Sequence, residues 1–181
     1  MSVPPTHSAL IIAVPQADPV VADLRAALDA AASWGVPAHV TLIYPFLPPD
    51  RIDAAVRAAV AETVAAVPRF TLTLARTAWF GDEVLWLAPE PAGPLHTLIQ
   101  RLWARFPEAP PYEGKIGDVV PHLTVGHGVP REVLDAAAAT VAPRLPVDAP
   151  VSTVRLITGR PEPRGGWNTA AEFPLGPVTA S

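Results

Sequence analysis

His39-Val40-Thr41-Leu42 and, 83 positions further on, His122-Leu123-Thr124-Val125 decide the reading of this 181-residue chain. Each stretch is His-x-Thr followed by an apolar residue. A β-strand projects alternate side chains to the same face. As strands, the two segments send His39 with Thr41, and His122 with Thr124, to one side, while Val40/Leu42 and Leu123/Val125 pack on the other. One such strand offers an imidazole beside a hydroxyl. Two that face each other offer a pair of imidazoles, which is what acid–base work across a single bond requires. A lone His-x-Thr carries little information, but two copies at half-chain spacing are specific.

Outward from the motifs, the chain alternates strands and helices without strict βαβ order. Residues 8–14 are a continuous apolar run and read as a buried strand. Asp18-Pro19 is a helix start, and Val21, Leu24, Ala27, Leu28 and Ala31 continue one stripe up to Ser33. The first motif strand spans 39–44. Asp50 is expected to cap a second helix with its stripe at Ile52, Val56, Ala59, Val60, Val64 and Val67. Residues 70–80 and 84–88 form a hairpin across Gly81-Asp82. Gly93-Pro94 opens a third helix with Leu95, Leu98, Ile99, Leu102, Trp103 and Phe106 as its core stripe. The second motif strand spans 121–127, a fourth helix covers about 131–141, and 151–158 and 167–175 are the last strands. The expected class is α+β with mostly antiparallel sheets and flanking helices.

Composition narrows the function. Half of the residues are hydrophobic and 17% are charged, which fits one compact globular domain. The formal net charge is −4, against an extended nucleic-acid groove, which needs clustered Lys and Arg. A local pocket for a small phosphate-bearing ligand remains compatible with that balance. The chain has no Cys, which excludes disulfides, thiol nucleophiles and Cys-ligated metals. Ala9-Leu10-Ile11-Ile12-Ala13-Val14 is too short for a signal-peptide core and lacks a basic lead-in, and no stretch reaches membrane-spanning length. The expectation is a cytoplasmic protein, monomeric and not attached to membranes.

The phrases Trp34-Gly35-Val36-Pro37-Ala38-His39-Val40-Thr41-Leu42-Ile43-Tyr44-Pro45-Phe46 and Pro121-His122-Leu123-Thr124-Val125 resemble the two-histidine phosphoesterase superfamily, which contains the 2′-5′ RNA ligase-like and 2′,3′-cyclic nucleotide phosphodiesterase proteins. The likeness spans most of the chain, though only the motifs and their neighbours are specific. It implies two lobes in a pseudo-twofold arrangement, here as a single bilobal domain over residues 1–181, with a metal-independent site in the cleft between them. Both His and both Thr would lie at the phosphate.

Acid–base logic then gives the expected roles. One imidazole takes a proton from the incoming water and the other returns one to the departing ribose oxygen, with limbs of activity between about pH 5 and 8. Thr41 and Thr124 donate to the nonbridging oxygens. No metal and no cofactor is called for, because neither motif has a second His or carboxylate at ligand spacing. The substrate is expected to be a small nucleotide or an RNA end. A noncatalytic nucleotide- or RNA-end-binding module using the same cleft is the alternative. Tyr44 and Phe46 are candidate walls for a base or sugar, with lobe packing as their other reading. Tyr112, Trp86 and Trp167 are candidate stacking rings, and Lys115 is a candidate phosphate cation. His127 lies an odd number of residues past His122, so a regular strand sends it to the opposite face. His96 is expected in solvent, and His7 in a mobile terminus.

Overall fold

The computed structural model describes residues 3–115 and 117–179. Within them lie strands β1 (His7–Ala13), β2 (His39–Ile43), β3 (Phe70–Phe80), β4 (Val84–Glu90), β5 (Leu123–His127), β6 (Val147–Val151), β7 (Thr153–Gly159) and β8 (Asn168–Pro174). The helices are α1 (Asp18–Leu28), α2 (Ala30–Ser33), α3 (Ala54–Ala65), α4 (Gly93–Arg105) and α5 (Arg131–Val141). The strands form two four-stranded sheets, ordered β2-β1-β7-β8 and β5-β4-β3-β6. Neighbouring strands are antiparallel throughout. The class is therefore α+β, in two lobes of one sheet each.

Each motif strand is the edge of its own sheet, and these two edges approach each other. The long helix upstream of each motif strand crosses to the other lobe, so that α1 packs on β5 and α4 packs on β2. This reciprocal crossing is the pseudo-twofold relation, and it closes the lobes over one shared core. Val40, Leu42, Leu123 and Val125 are all fully buried in that core, so His39/Thr41 and His122/Thr124 are left on the opposite faces. On β5, Gly126 permits the close approach of helices: a Cβ there would lie 2.7 Å from Leu134 Cδ2 and 3.0 Å from Leu28 Cβ.

Several local readings are corrected. The stripe expected to run unbroken to Ser33 breaks at Asp29, whose extended backbone ends α1 and whose carboxylate caps α2 at Ala31 N, 3.1 Å away. Asp53, not Asp50, caps the second long helix, its carboxylate accepting from Val56 N at 2.8 Å. Residues 49–51 form a separate short turn of 3-10 helix, which detaches Asp50. Trp103 is 42% exposed and not core; four Leu/Ile side chains already fill the buried face of α4. His7 begins β1 instead of lying in a loose terminus, because it pairs with Gly159. Strand β6 has no counterpart in the sequence reading. It contains Pro146-flanked, Pro150-bearing sequence that reads as a loop, yet proline is tolerated on an edge, and β6 is the outer strand beside β3.

Candidate active site

The two motif histidines are held in matching ways. His39 Nδ1 lies 2.7 Å from the Pro37 carbonyl and His122 Nδ1 lies 2.8 Å from the Val120 carbonyl. In each case the partner is the residue two positions upstream. A carbonyl only accepts, so Nδ1 carries the proton and donates it, and Nε2 is the nitrogen left to exchange protons. Both rings are partly buried. Burial pushes the His39 pKa down from 6.5 to about 4, with the Arg25 charge and repulsion from His122 adding to the fall and the Pro37 hydrogen bond opposing it. Burial likewise lowers the His122 pKa, against the Val120 hydrogen bond. The imidazoles are thus near enough to sense each other's charge.

Thr41 shares its face with His39 and pairs in register with Ile11 of β1. Its side chain interacts with the Tyr112 phenol, a contact that partly offsets the rise in the phenol's pKa caused by burial. Thr124 is paired in register with Trp86, and Trp86 with Ala78, so these three share one face. His122 is packed by rings on that side. Phe80 meets it edge-on at 4.9 Å between centroids, Trp86 lies at 5.9 Å, and Phe80 and Trp86 stack at 4.6 Å.

Two cavities adjoin the first motif. One, of about 120 Å³, is bordered by His39, Thr41, Trp34, Tyr44 and Trp167. The other, of about 330 Å³, is bordered by Tyr44, His7, Tyr112, Glu113 and Lys115. Tyr44 is the wall between them, stacked on His7 at 6.3 Å and tilted against Trp167 at 6.2 Å. Tyr112 and Glu113 both have positive φ, 52° and 56°, in a turn pinned by the Tyr112 N–H to the Tyr44 carbonyl at 2.8 Å. Two consecutive left-handed non-glycine residues are a strained arrangement of the kind that collects at ligand sites.

Of the expected site residues, His39, Thr41, Tyr44, Tyr112, Trp167 and Lys115 therefore border cavities beside the first motif, and Trp86 accompanies His122 and Thr124. Phe46 is a correction. It is 6% exposed and packs edge-to-face on Phe106 at 5.1 Å, inside the main core and away from any cavity wall. Trp86 is also corrected as an open stacking surface: it is 8% exposed and Phe80 covers its face. It supports the His122 ring. Lys115 is exposed and paired with Glu113, so its charge is partly spent. His127 lies on the same face as Thr124, not the opposite one. A bulge adds one residue, Val125, to β5 between the Trp86–Thr124 and Val84–His127 pairs, and the extra residue restores the phase.

Three contributors escaped the sequence reading. Arg25 and Asp29 are only 5% and 8% exposed and form a buried pair at 2.9 Å. The Arg25 guanidinium also donates to the Val36 carbonyl at 3.2 and 3.3 Å. Val36 is adjacent to Pro37, whose carbonyl anchors His39, so α1 braces the peptide that orients the imidazole. The signal was present: Arg25 lies four residues after Val21 and three before Leu28, within the apolar stripe. Phe80 is the third, visible only through its packing on His122. Among the described residues, no group of three or more His, Asp or Glu is placed to hold a metal ion, and no helix is long and apolar enough to cross a membrane.

The pattern of the 2′-5′ RNA ligase superfamily matches residues 13–161. That span takes in both motif strands and most of both lobes, and the chain belongs to this superfamily of two-histidine phosphoesterases. No curated protein sequence matches it. Among solved structures, LigT of E. coli in complex with NADP+ is similar over 96% of this chain and 99% of its own, with 21% identity and a TM-score of 0.60. The complex of the same protein with 3′-AMP has 18% identity and a TM-score of 0.60 over the same shares. TT0787 of Thermus thermophilus reaches a TM-score of 0.65 at 20% identity, covering 94% of this chain and 98% of its own. These likenesses share the fold.

Proposed function

We propose that the protein is a metal-independent phosphodiesterase that opens a 2′,3′-cyclic phosphate or a related cyclic or 2′-5′-linked nucleotide or RNA end. The observation that carries this reading is the pair of histidines anchored alike through Nδ1, which frees two Nε2 atoms at the starts of two edge strands that meet. One neutral imidazole removes a proton from water as the oxygen attacks phosphorus. The bond from phosphorus to one ribose oxygen breaks, and the other, protonated imidazole delivers a proton to that oxygen. A ring-opened phosphomonoester results, and the imidazoles have exchanged protonation states. With a 5′-hydroxyl in place of water as the nucleophile, the same forward steps form its bond to phosphorus, break the bond to the 3′ oxygen, which takes the proton, and so join a 2′-5′ linkage. Thr41 and Thr124 hydroxyls donate to the nonbridging oxygens as charge gathers there. The two lobes act as one bilobal domain, since the site takes one motif from each.

A second reading, a noncatalytic module that holds a nucleotide or RNA end, draws on one observation. Both imidazole pKa values are lowered, so the free protein at neutral pH has little of the protonated imidazole that an acid catalyst needs. A bound phosphodiester anion counters this by favouring the charged imidazole. Phosphorus NMR of a 2′,3′-cyclic nucleotide incubated with pure protein separates the two: the phosphodiesterase converts the cyclic signal to a monoester signal, whereas the binding module shifts or broadens the signal without conversion.

A further inference from the structure

Thr41 is met by a second hydroxyl. The short turn Pro111–Gly114 leans on β2, and the Tyr112 phenol that it carries reaches the Thr41 side chain. The turn is built for that reach. Pro111 is buried, the Tyr112 N–H donates to the Tyr44 carbonyl at 2.8 Å, and the Glu113 and Lys115 N–H groups donate to the Pro110 and Tyr112 carbonyls, each at 3.1 Å. Tyr112 and Glu113 have φ of 52° and 56°. Left-handed residues other than glycine persist only where the surroundings over-determine them, and here the result is a phenol placed against β2. Thr41 borders the cavity beside His39, Tyr112 borders the next one, and their contact joins the two.

Each hydroxyl has one hydrogen to give, and that fixes the direction of the contact. A phosphate oxygen beside Thr41 only accepts, so the Thr41 hydrogen goes there and the Tyr112 hydrogen goes to Thr41 Oγ1. We propose that Tyr112 is a positioning residue: its phenol O–H donates to Thr41 Oγ1 and holds that hydroxyl with its own hydrogen aimed at a nonbridging oxygen of the substrate. The proposal rests on the phosphodiesterase reading, and it gives Tyr112 a polar role in place of a stacking one. Burial pushes the phenol pKa up, which keeps the needed hydrogen on the ring. Two effects follow. A threonine hydroxyl has more than one open rotamer and a free rotor, and the phenol selects one arrangement before substrate arrives. A hydroxyl that accepts one hydrogen bond also donates a stronger one, because successive bonds polarise each other. Both effects grow as charge gathers on the phosphate oxygens, so they act on kcat more than on KM.

A double-mutant cycle on hydrolysis of adenosine 2′,3′-cyclic phosphate tests this. Tyr112→Phe keeps the ring and removes only the hydroxyl, so the turn and any stacking survive. It should lower kcat by about 3–30-fold, part of what one lost transition-state donor costs, with KM within about twofold of the wild type. In a Thr41→Val background the same change should cost less than about twofold, because the hydroxyl it positions is already gone. Thr41→Ser, which restores that hydroxyl, should restore the sensitivity to Tyr112→Phe. A wild-type kcat in Tyr112→Phe, a loss confined to KM, or an equal loss with and without the Thr41 hydroxyl would overturn the proposal; the last would make the phenol a direct donor. If the wild type turns over no cyclic ester, the phosphodiesterase reading fails, and calorimetric titration with inorganic phosphate reads the same cycle. Phosphate binding that Tyr112→Phe weakens in the wild type but not in Thr41→Val upholds the positioning role. No binding, no change, or an equal loss in both backgrounds refutes it.

Discussion

At the scale of the residue, the site depends on where two protons sit. The Pro37 and Val120 carbonyls fix the same tautomer in His39 and His122, and burial then makes both rings reluctant to charge. Replacing either His with Ala should lower kcat/KM by about 10²–10⁴-fold, with the far-ultraviolet circular dichroism unchanged, because neither ring lies in the main core. Thr41→Val and Thr124→Val should cost about 10–10³-fold each, the loss of one donor to the transition state. The pH behaviour follows in two parts. With the His39 pKa near 4 and the His122 pKa also below 6.5, the kcat/KM bell of the coupled pair should peak between about 4 and 6.5, more acidic than ordinary imidazoles give. Stability has the matching sign. Between pH 6.5 and 4 the unfolded chain binds a proton at His39 that the folded protein refuses, so stability rises with pH across that window and falls on acidification. Urea midpoints at about pH 7 and 4.5 should differ less for His39→Ala than for the wild type; an equal or larger difference counts against the buried, neutral His39. The strand placement of His39, Thr41 and Thr124 was legible because period-2 projection is local, whereas His122 lies one residue ahead of β5, which begins at Leu123 and not at 121. The depth of burial was not, since it depends on the partner lobe.

At the scale of the element, the motif strands are edges, and what orients them comes from helices and bulges. Arg25 of α1, held by Asp29 just past the end of that helix, braces the Val36 carbonyl, one peptide away from the anchor of His39. Arg25→Met removes one partner of a buried pair and should destabilise the fold by about 3–5 kcal/mol. It should also move the acid limb of the kcat/KM profile upward, because the Arg25 charge helps to hold the His39 pKa down. Chemical denaturation and a pH profile on the folded fraction check the two effects; an unchanged midpoint would show that the pair contributes nothing to stability. Helix α4, the hairpin of β3 and β4, and α5 were readable from periodicity and turn chemistry, whose signals lie within each segment. The break at Asp29, the edge strand β6 and the phase of His127 were not. The break and β6 depend on which backbone groups find partners elsewhere, and His127 depends on one extra residue, Val125, that only the register with β4 reveals.

At the scale of the whole molecule, each lobe lends the long helix upstream of its motif strand to the other. One core of buried residues runs through both sheets, including Leu10, Val40, Leu72, Leu87, Leu98 and Leu123. The lobes should therefore unfold together: far-ultraviolet dichroism and tryptophan fluorescence should give coincident urea transitions, and two separated transitions would contradict the shared core. The antiparallel class was legible from the irregular order of strands and helices. The helix exchange was not, because packing partners far apart in sequence leave no local mark. The exchange also brings the two histidines together, and with them the central claim, that the imidazole pair does the chemistry without a metal. The most direct test is hydrolysis of a 2′,3′-cyclic nucleotide by pure protein in excess EDTA, followed from about pH 4 to 9. The account predicts undiminished turnover with a bell-shaped, acid-shifted kcat/KM profile that both His39→Ala and His122→Ala abolish. Activity that vanishes on chelation and returns with a divalent cation, or that survives in a folded His122→Ala protein, would contradict it.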